Sequence, residues 1–162
     1  MSRWRERGPA PSPYITAAGY RQLEQECKSL WQKREEVRQA VAAAAAEGDR
    51  SENAEYIYRK KQLREIDRRI AYLQKRLPEL NIPAAVPDND RAFFSATVTL
   101  EDESSNRFQY RIVGPDEIGR DDGWISVDSP LARALLGKRT DDEVCLRTRN
   151  GETRYRILSI TY

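Results

Sequence analysis

Four carboxylates crowd into the run Glu47-Gly48-Asp49-Arg50-Ser51-Glu52-Asn53-Ala54-Glu55, where Arg50 is the only cation. Carboxylates at such density are costly unless water or a cation compensates them, and their hard oxygens suit an ion such as Mg²⁺. Asp49 and Glu52 stand three apart across a turn, close enough to share one cation. Mg²⁺ keeps most of its waters and accepts one or two protein carboxylates when other ligands complete its shell, so this pair amounts to part of a site that a second molecule must finish. A plainer reading stands beside it. Turns are polar, and Glu52 and Glu55 complement the dipole of a following helix.

The chain contains no histidine, which removes the commonest general base near neutral pH and every Ser-His or Cys-His pair. Chemistry must then run on carboxylates, lysines or a borrowed site. Cys27 and Cys145 fall in different halves without a Cys-x-x-Cys spacing, so neither zinc nor a disulfide framework is expected, and a reducing cytoplasm is the natural location. The N-terminus carries arginines but no apolar run of the length of a signal peptide or membrane span. Charge is divided unevenly: residues 1–87 carry a net +5 and residues 88–162 a net −3. A basic half joined to an acidic half suggests a division of labour.

Two helices must position the acidic turn. After a capping Thr16, apolar residues recur at Tyr20, Leu23, Cys27, Leu30, Val37, Val41 and Ala44, with Arg34 in the missed place. This three-four spacing is a coiled-coil seam. Alanines 42–46 extend the helix and Gly48 is expected to end it. A second seam runs through Tyr56, Leu63, Ile66, Ile70, Leu73, Leu77 and Leu80, with Arg59 in its gap and Ser51 or Asn53 as cap. Pro78 complicates its last turn and Pro83 is expected to end it. So short a connection forces antiparallel pairing into a hairpin with arms of about 45 Å at ~1.5 Å per residue. Such a rod projects, and that favours the ligand reading of Asp49 and Glu52.

The expected organisation is a flexible arm (1–13), a coiled-coil hairpin (14–80) with an acidic tip at 47–55, a Pro- and Asp-rich linker (81–90) and a second domain (91–162). That domain shows strand-like runs at 93–102, 107–114 and 144–160, the last folded about Asn150-Gly151. Ser129, Pro130 and Gly137 bracket one short helix. The fold class is therefore α+β, a helical hairpin followed by a small antiparallel domain. Its acidic pairs, Asp121-Asp122 and Asp141-Asp142-Glu143, lack metal-loop spacing and read as solvated turns.

Residues 59–76 hold eight basic and two acidic side chains, among them Arg59, Lys60, Lys61, Arg64, Arg68 and Arg69. One reading is the solvated face of a coiled coil. The other is contact with phosphates or an acidic protein channel. Tyr58 is placed to stack on a base, whereas Tyr56 lies on the seam.

The runs GDRSENAEY (48–56) and YRKKQLREIDRRIAYLQKRL (58–77) closely resemble the hairpin of the bacterial transcript-cleavage factors GreA and GreB, with LREIDRR pointing toward GreB. The resemblance continues through RIVGPDEIG (111–119) and ISVDSPLARALLGK (125–138), and spans residues 14–162. It implies a factor without nuclease activity of its own. Such a factor inserts its coiled coil into the secondary channel of a backtracked RNA polymerase and stimulates cleavage of the RNA 3′ end. By the same resemblance Asp49 and Glu52 hold a catalytic Mg²⁺ jointly with the polymerase, supported by Ser51 and Asn53. The tract of Arg59, Lys60, Lys61, Arg64, Arg68 and Arg69 guides the RNA, and an FKBP-like C-terminal domain docks on the channel rim. A small-molecule substrate and a membrane partner are not expected. A channel regulator that acts without cleavage is the alternative. A polymerase-independent RNA-binding coiled coil is a third possibility. The arm at 1–13 lies outside the resemblance, and alanines 42–46 are blander than it leads one to expect.

Overall fold

The computed structural model describes residues 9–48, 53–85 and 90–162. The chain divides into two compact units, Ala18–Leu80 and Asn81–Tyr162, the latter taking in the residues before Ala18.

In the first unit, α1 (Ala17–Ala45) and α2 (Ala54–Arg76) pair along the two seams. Leu23, Val37 and Ala44 of α1 and Ile66, Ile70 and Leu73 of α2 are buried, with Leu30, Val41 and Leu63 half-buried against Val37, Ile66 and Ile70. Glu26 early in α1 meets Arg69 late in α2, with Nε and Nη2 donating at 2.7 and 3.1 Å, so the helices run antiparallel. Arg34, which interrupts the first seam, turns to Asp67 at 2.6 Å. Exposed ion pairs of this kind are worth at most about 1 kcal/mol, whereas each fully buried Leu or Ile contributes about 1.5–3 kcal/mol. The seam holds the hairpin and the ion pairs set its register.

Both helices stop earlier than their apolar spacing suggests. α1 ends at Ala45, three residues before Gly48; the amides of Ala46 and Glu47 still bond back to the last turn, and Gly48 takes the positive φ of +141°. α2 ends at Arg76 because Pro78 has no N–H to donate, and Leu77–Glu79 tighten into a 3₁₀ turn.

The second unit is a five-stranded sheet of β1 (Thr97–Asp102), β2 (Arg107–Val113), β3 (Trp124–Ser126), β4 (Glu143–Thr148) and β5 (Gly151–Thr161) in the order β3-β2-β1-β5-β4. It is mixed, not wholly antiparallel. β3 runs parallel to β2, pairing Trp124 with Arg111 and Ser126 with Val113. Strands β4 and β5 are joined by the two residues Arg149-Asn150, one position before the expected Asn150-Gly151, with Gly151 opening β5 opposite Thr148 at a φ of +121°, and a register shift opposite Thr99 and Leu100 interrupts the long β5. α3 (Pro130–Leu135) is capped by Ser129, whose Oγ accepts from the Ala132 amide at 3.3 Å. Its Ala132 and Leu135 belong to the core with Val98, Leu100, Ile112, Val144 and Ile157. The acidic pairs close turns: Asp121 accepts from the Gly123 amide at 2.9 Å and Asp142 from the Arg139 amide at 2.8 Å. On β4 the exposed Cys145 thiol donates to Glu152 at 2.6 Å, which pushes its pKa up.

The residues before α1 belong to this second unit. Ser12 donates through its amide (2.8 Å) and its hydroxyl to Asp128. Asn81 receives the Ile15 amide on its carbonyl at 3.0 Å and gives its own amide to the Pro13 carbonyl at 2.7 Å, a short parallel pairing around the bridge Tyr14–Asn81. Thr16 then donates its amide (3.1 Å) and its hydroxyl to the carboxylate of Glu117, which also accepts the Gly114 amide at 2.8 Å. Glu117 is fully buried.

Candidate functional site on the helical hairpin

Asp49, Ser51 and Glu52 lie outside the described residues, so the acidic turn is defined by its flanks. Asn53 is the N-cap of α2. Its backbone is extended (φ −83°, ψ 97°), and its Oδ1 accepts the Tyr56 amide at 3.0 Å, satisfying one of the orphan donors of the first turn. Its Nδ2 reaches back to donate to the Ala44 carbonyl in the last turn of α1 at 2.7 Å. One side chain therefore closes the two helix ends around the segment that carries both acids. A serine cap has an acceptor but no second donor group to reach the other helix.

Of the two described acids, Glu55 is paired with Arg59 at 2.7 Å, and Glu47 is exposed at the end of α1. Among the described residues no group of three or more acidic, cysteine or histidine side chains is arranged to hold a metal. Glu55 is engaged by Arg59, and Asp49 and Glu52, whose hard carboxylates are of the kind that suits Mg²⁺, lie outside the described residues.

The six basic residues of the candidate tract, Arg59 to Arg69, separate by their partners. Arg59 pairs with Glu55 and donates to Gln62 at 3.1 Å, and its guanidinium lies 5.6 Å from the Tyr58 ring centre. Arg69 grips Glu26 and lies 5.3 Å from the Tyr72 ring centre. Lys60 sits 5.4 Å over Tyr56. Arg69 thus ties α2 to α1, whereas Arg59 pairs within α2 itself. Lys61, Arg64 and Arg68 are exposed and form no ion pair among the described residues. Their spacing of three and four puts them in one stripe spanning about 10 Å at ~1.5 Å per residue. Lys61 also borders a groove of about 410 Å³ between the helices, lined with Lys33, Tyr58, Arg69 and the apolar Leu30 and Ile66. Tyr58 is 60% exposed there, so one ring face remains available for stacking.

Sequence reasoning passed over Glu117 and Asp128. The only local signal for Glu117 is its place at the third position of the turn begun by Gly114-Pro115, where a side chain can cap its own helix start. No helix of the described residues is long and apolar enough to cross a membrane.

Two family descriptions match the chain: "Transcription elongation factor, N-terminal" over residues 13–82 and "Transcription elongation factor, GreA/GreB, C-term" over residues 87–162. Transcription elongation factor GreB of Xanthomonas axonopodis pv. citri is 53% identical over 165 residues, covering 100% of this chain and 98% of its own. The GreB of Pseudomonas aeruginosa is 52% identical over 164 residues, covering 100% and 98%. The crystal structure of GreA factor homolog 1 of Thermus thermophilus aligns over 92% of this chain and 98% of its own at 26% identity, with a TM-score of 0.42. With both halves matched and these relatives GreB proteins along their whole length, the chain belongs to the GreA/GreB family of transcription elongation factors.

Proposed function

We propose that the protein inserts its helical hairpin into the secondary channel of RNA polymerase and stimulates endonucleolytic cleavage of the 3′ end of backtracked RNA, rescuing arrested complexes. The observation that carries this reading is the Asn53 bridge, which ties α1 to α2 around a segment containing Asp49 and Glu52. In this reading Asp49 and Glu52 hold a Mg²⁺ jointly with carboxylates of the polymerase, and the ion when bound supplies an activated water and charge stabilisation for in-line displacement at phosphorus. Ser51 supports the turn. Lys61, Arg64 and Arg68, with Arg59, Lys60 and Arg69 behind them, attract the extruded RNA through its phosphates. The C-terminal domain docks on the rim of the channel, and the nuclease belongs to the polymerase.

Stalled, backtracked complexes carrying 3′-labelled RNA test this directly. Short 3′ fragments are expected only when protein and polymerase are both present, and a protein that binds polymerase without releasing fragments would overturn the reading in favour of a non-cleaving channel regulator. Arg64→Glu combined with Arg68→Glu is expected to slow cleavage of deeply backtracked RNA about 10-fold, the effect of losing roughly 1.4 kcal/mol. Equal cleavage of such substrates would count against the guiding role.

A further inference from the structure

We infer that Glu117 is a positioning residue for the hairpin: its buried carboxylate latches the chain to the C-terminal domain at the residue before α1. This rests on the cleavage reading above. Three donors converge on it, the amide and hydroxyl of Thr16 and the amide of Gly114, and no cation is among its bonded partners. A fully buried carboxylate is expensive, and here it is tolerated because each donor replaces a lost water bond. The same place is closed sterically. A Cβ added at Gly114 would lie 1.9 Å from the Tyr14 carbonyl oxygen, so only glycine lets residues 14–16 settle against this turn. The other chain crossing between the units follows Leu80, and Asn81 is bonded to Pro13 and Ile15. Both crossings are thereby gathered at one anchor, with Glu117 fixing the one that leads into α1.

A latch and a merely structural residue make different predictions for cleavage titrated against factor concentration. Glu117→Gln keeps the size but replaces one of the two accepting oxygens by an NH₂ and removes the charge, and Gly114→Ala leaves the carboxylate in the chain but forces the Tyr14 carbonyl away and brings a methyl carbon to 3.2 Å from Glu117 Oε2. Both are expected to lower the maximal cleavage rate at saturating factor about 10-fold while the half-saturating concentration stays within about twofold, because docking on polymerase is kept and delivery of the turn is not. The Thr16 amide should exchange with solvent at least about 10-fold faster in both variants, and Thr16→Ser should stay near the wild type. A loss of folded protein would instead raise the half-saturating concentration and leave the maximal rate. That outcome, or unchanged cleavage with a freely exchanging Thr16 amide, would overturn the latch. Absence of cleavage by the wild type would overturn the functional reading instead, and the exchange measurement would still report on the latch without polymerase.

Discussion

Asp49→Asn and Glu52→Gln are each expected to lower RNA cleavage in backtracked complexes by about 100-fold while leaving affinity for polymerase within about twofold. The substitutions preserve shape, remove one negative charge and turn one oxygen able to bind a cation into an NH₂ that cannot. Two unit charges 4 Å apart interact by about 4 kcal/mol at an effective dielectric of 20, and a 100-fold rate loss corresponds to about 2.7 kcal/mol, so even a partly screened carboxylate on a divalent cation is sufficient. The fold should be indifferent, because the buried seam lies along Leu23, Val37, Ile66, Ile70 and Leu73. Raising Mg²⁺ should partly restore cleavage by either variant, since a weakened site fills at higher concentration. Cleavage at wild-type rates by both variants would remove these residues from the chemistry and return them to the simpler role of helix-dipole complements.

Asn53→Ala should carry the second large effect, on stability and activity together. It removes a helix cap, worth about 1 kcal/mol, and the bond to the Ala44 carbonyl, worth roughly another 1 kcal/mol. Thermal melting of the hairpin followed by circular dichroism should start at lower temperature, and cleavage should fall about 10-fold at temperatures where both proteins are helical. Asn53→Ser retains the cap and lacks the bridge, so it separates the two terms: near-normal melting with reduced cleavage is expected. Asn53→Asp places an acceptor toward the Ala44 carbonyl and should be no better than serine in cleavage. If Asn53→Ser cleaves as well as the wild type, the bridge has no part in presenting the acids.

The hairpin was legible in the sequence because a heptad pattern states its own pairing: nearly every residue read as seam is buried or half-buried, and the two arginines in the gaps, Arg34 and Arg59, find carboxylates. Helix ends were less legible. Alanines 42–46 have strong helix propensity, yet the helix stops within them, and the effect of Pro78 reaches back to Arg76. In the second domain the bracketed α3 and the existence of the last hairpin could be read from residue types alone, with the turn displaced by one residue to Arg149-Asn150. The parallel strand β3 could not, since three residues are too few to display alternation and Trp124-Ile125-Ser126 looks like any packed loop. The acids of the turn were recognisable by kind and spacing, and the basic tract by density. Which cation is committed to the other helix depends on a partner such as Glu26, 43 residues from Arg69, that only a folded register assigns. Glu117 was invisible for a related reason, because its donor Thr16 is 101 residues away and its immediate neighbours spell an ordinary polar turn.

That separation also orders events at the ribosome. Ser12 and Thr16 are made before either unit is complete, and their partners Asp128 and Glu117 follow 116 and 101 residues later. Helical hairpins close through neighbouring contacts and do so quickly, whereas the sheet must wait for β5, which pairs with the earlier β1. The nascent chain should therefore carry a finished hairpin on an untethered leader until residue 117 emerges and the domain behind it can fold. Ribosome-bound chains halted near residue 110 are expected to resist proteolysis across α1 and α2 while being cut between residues 9 and 16. Protection of that leader before Glu117 has been synthesised would mean that something other than this carboxylate holds it.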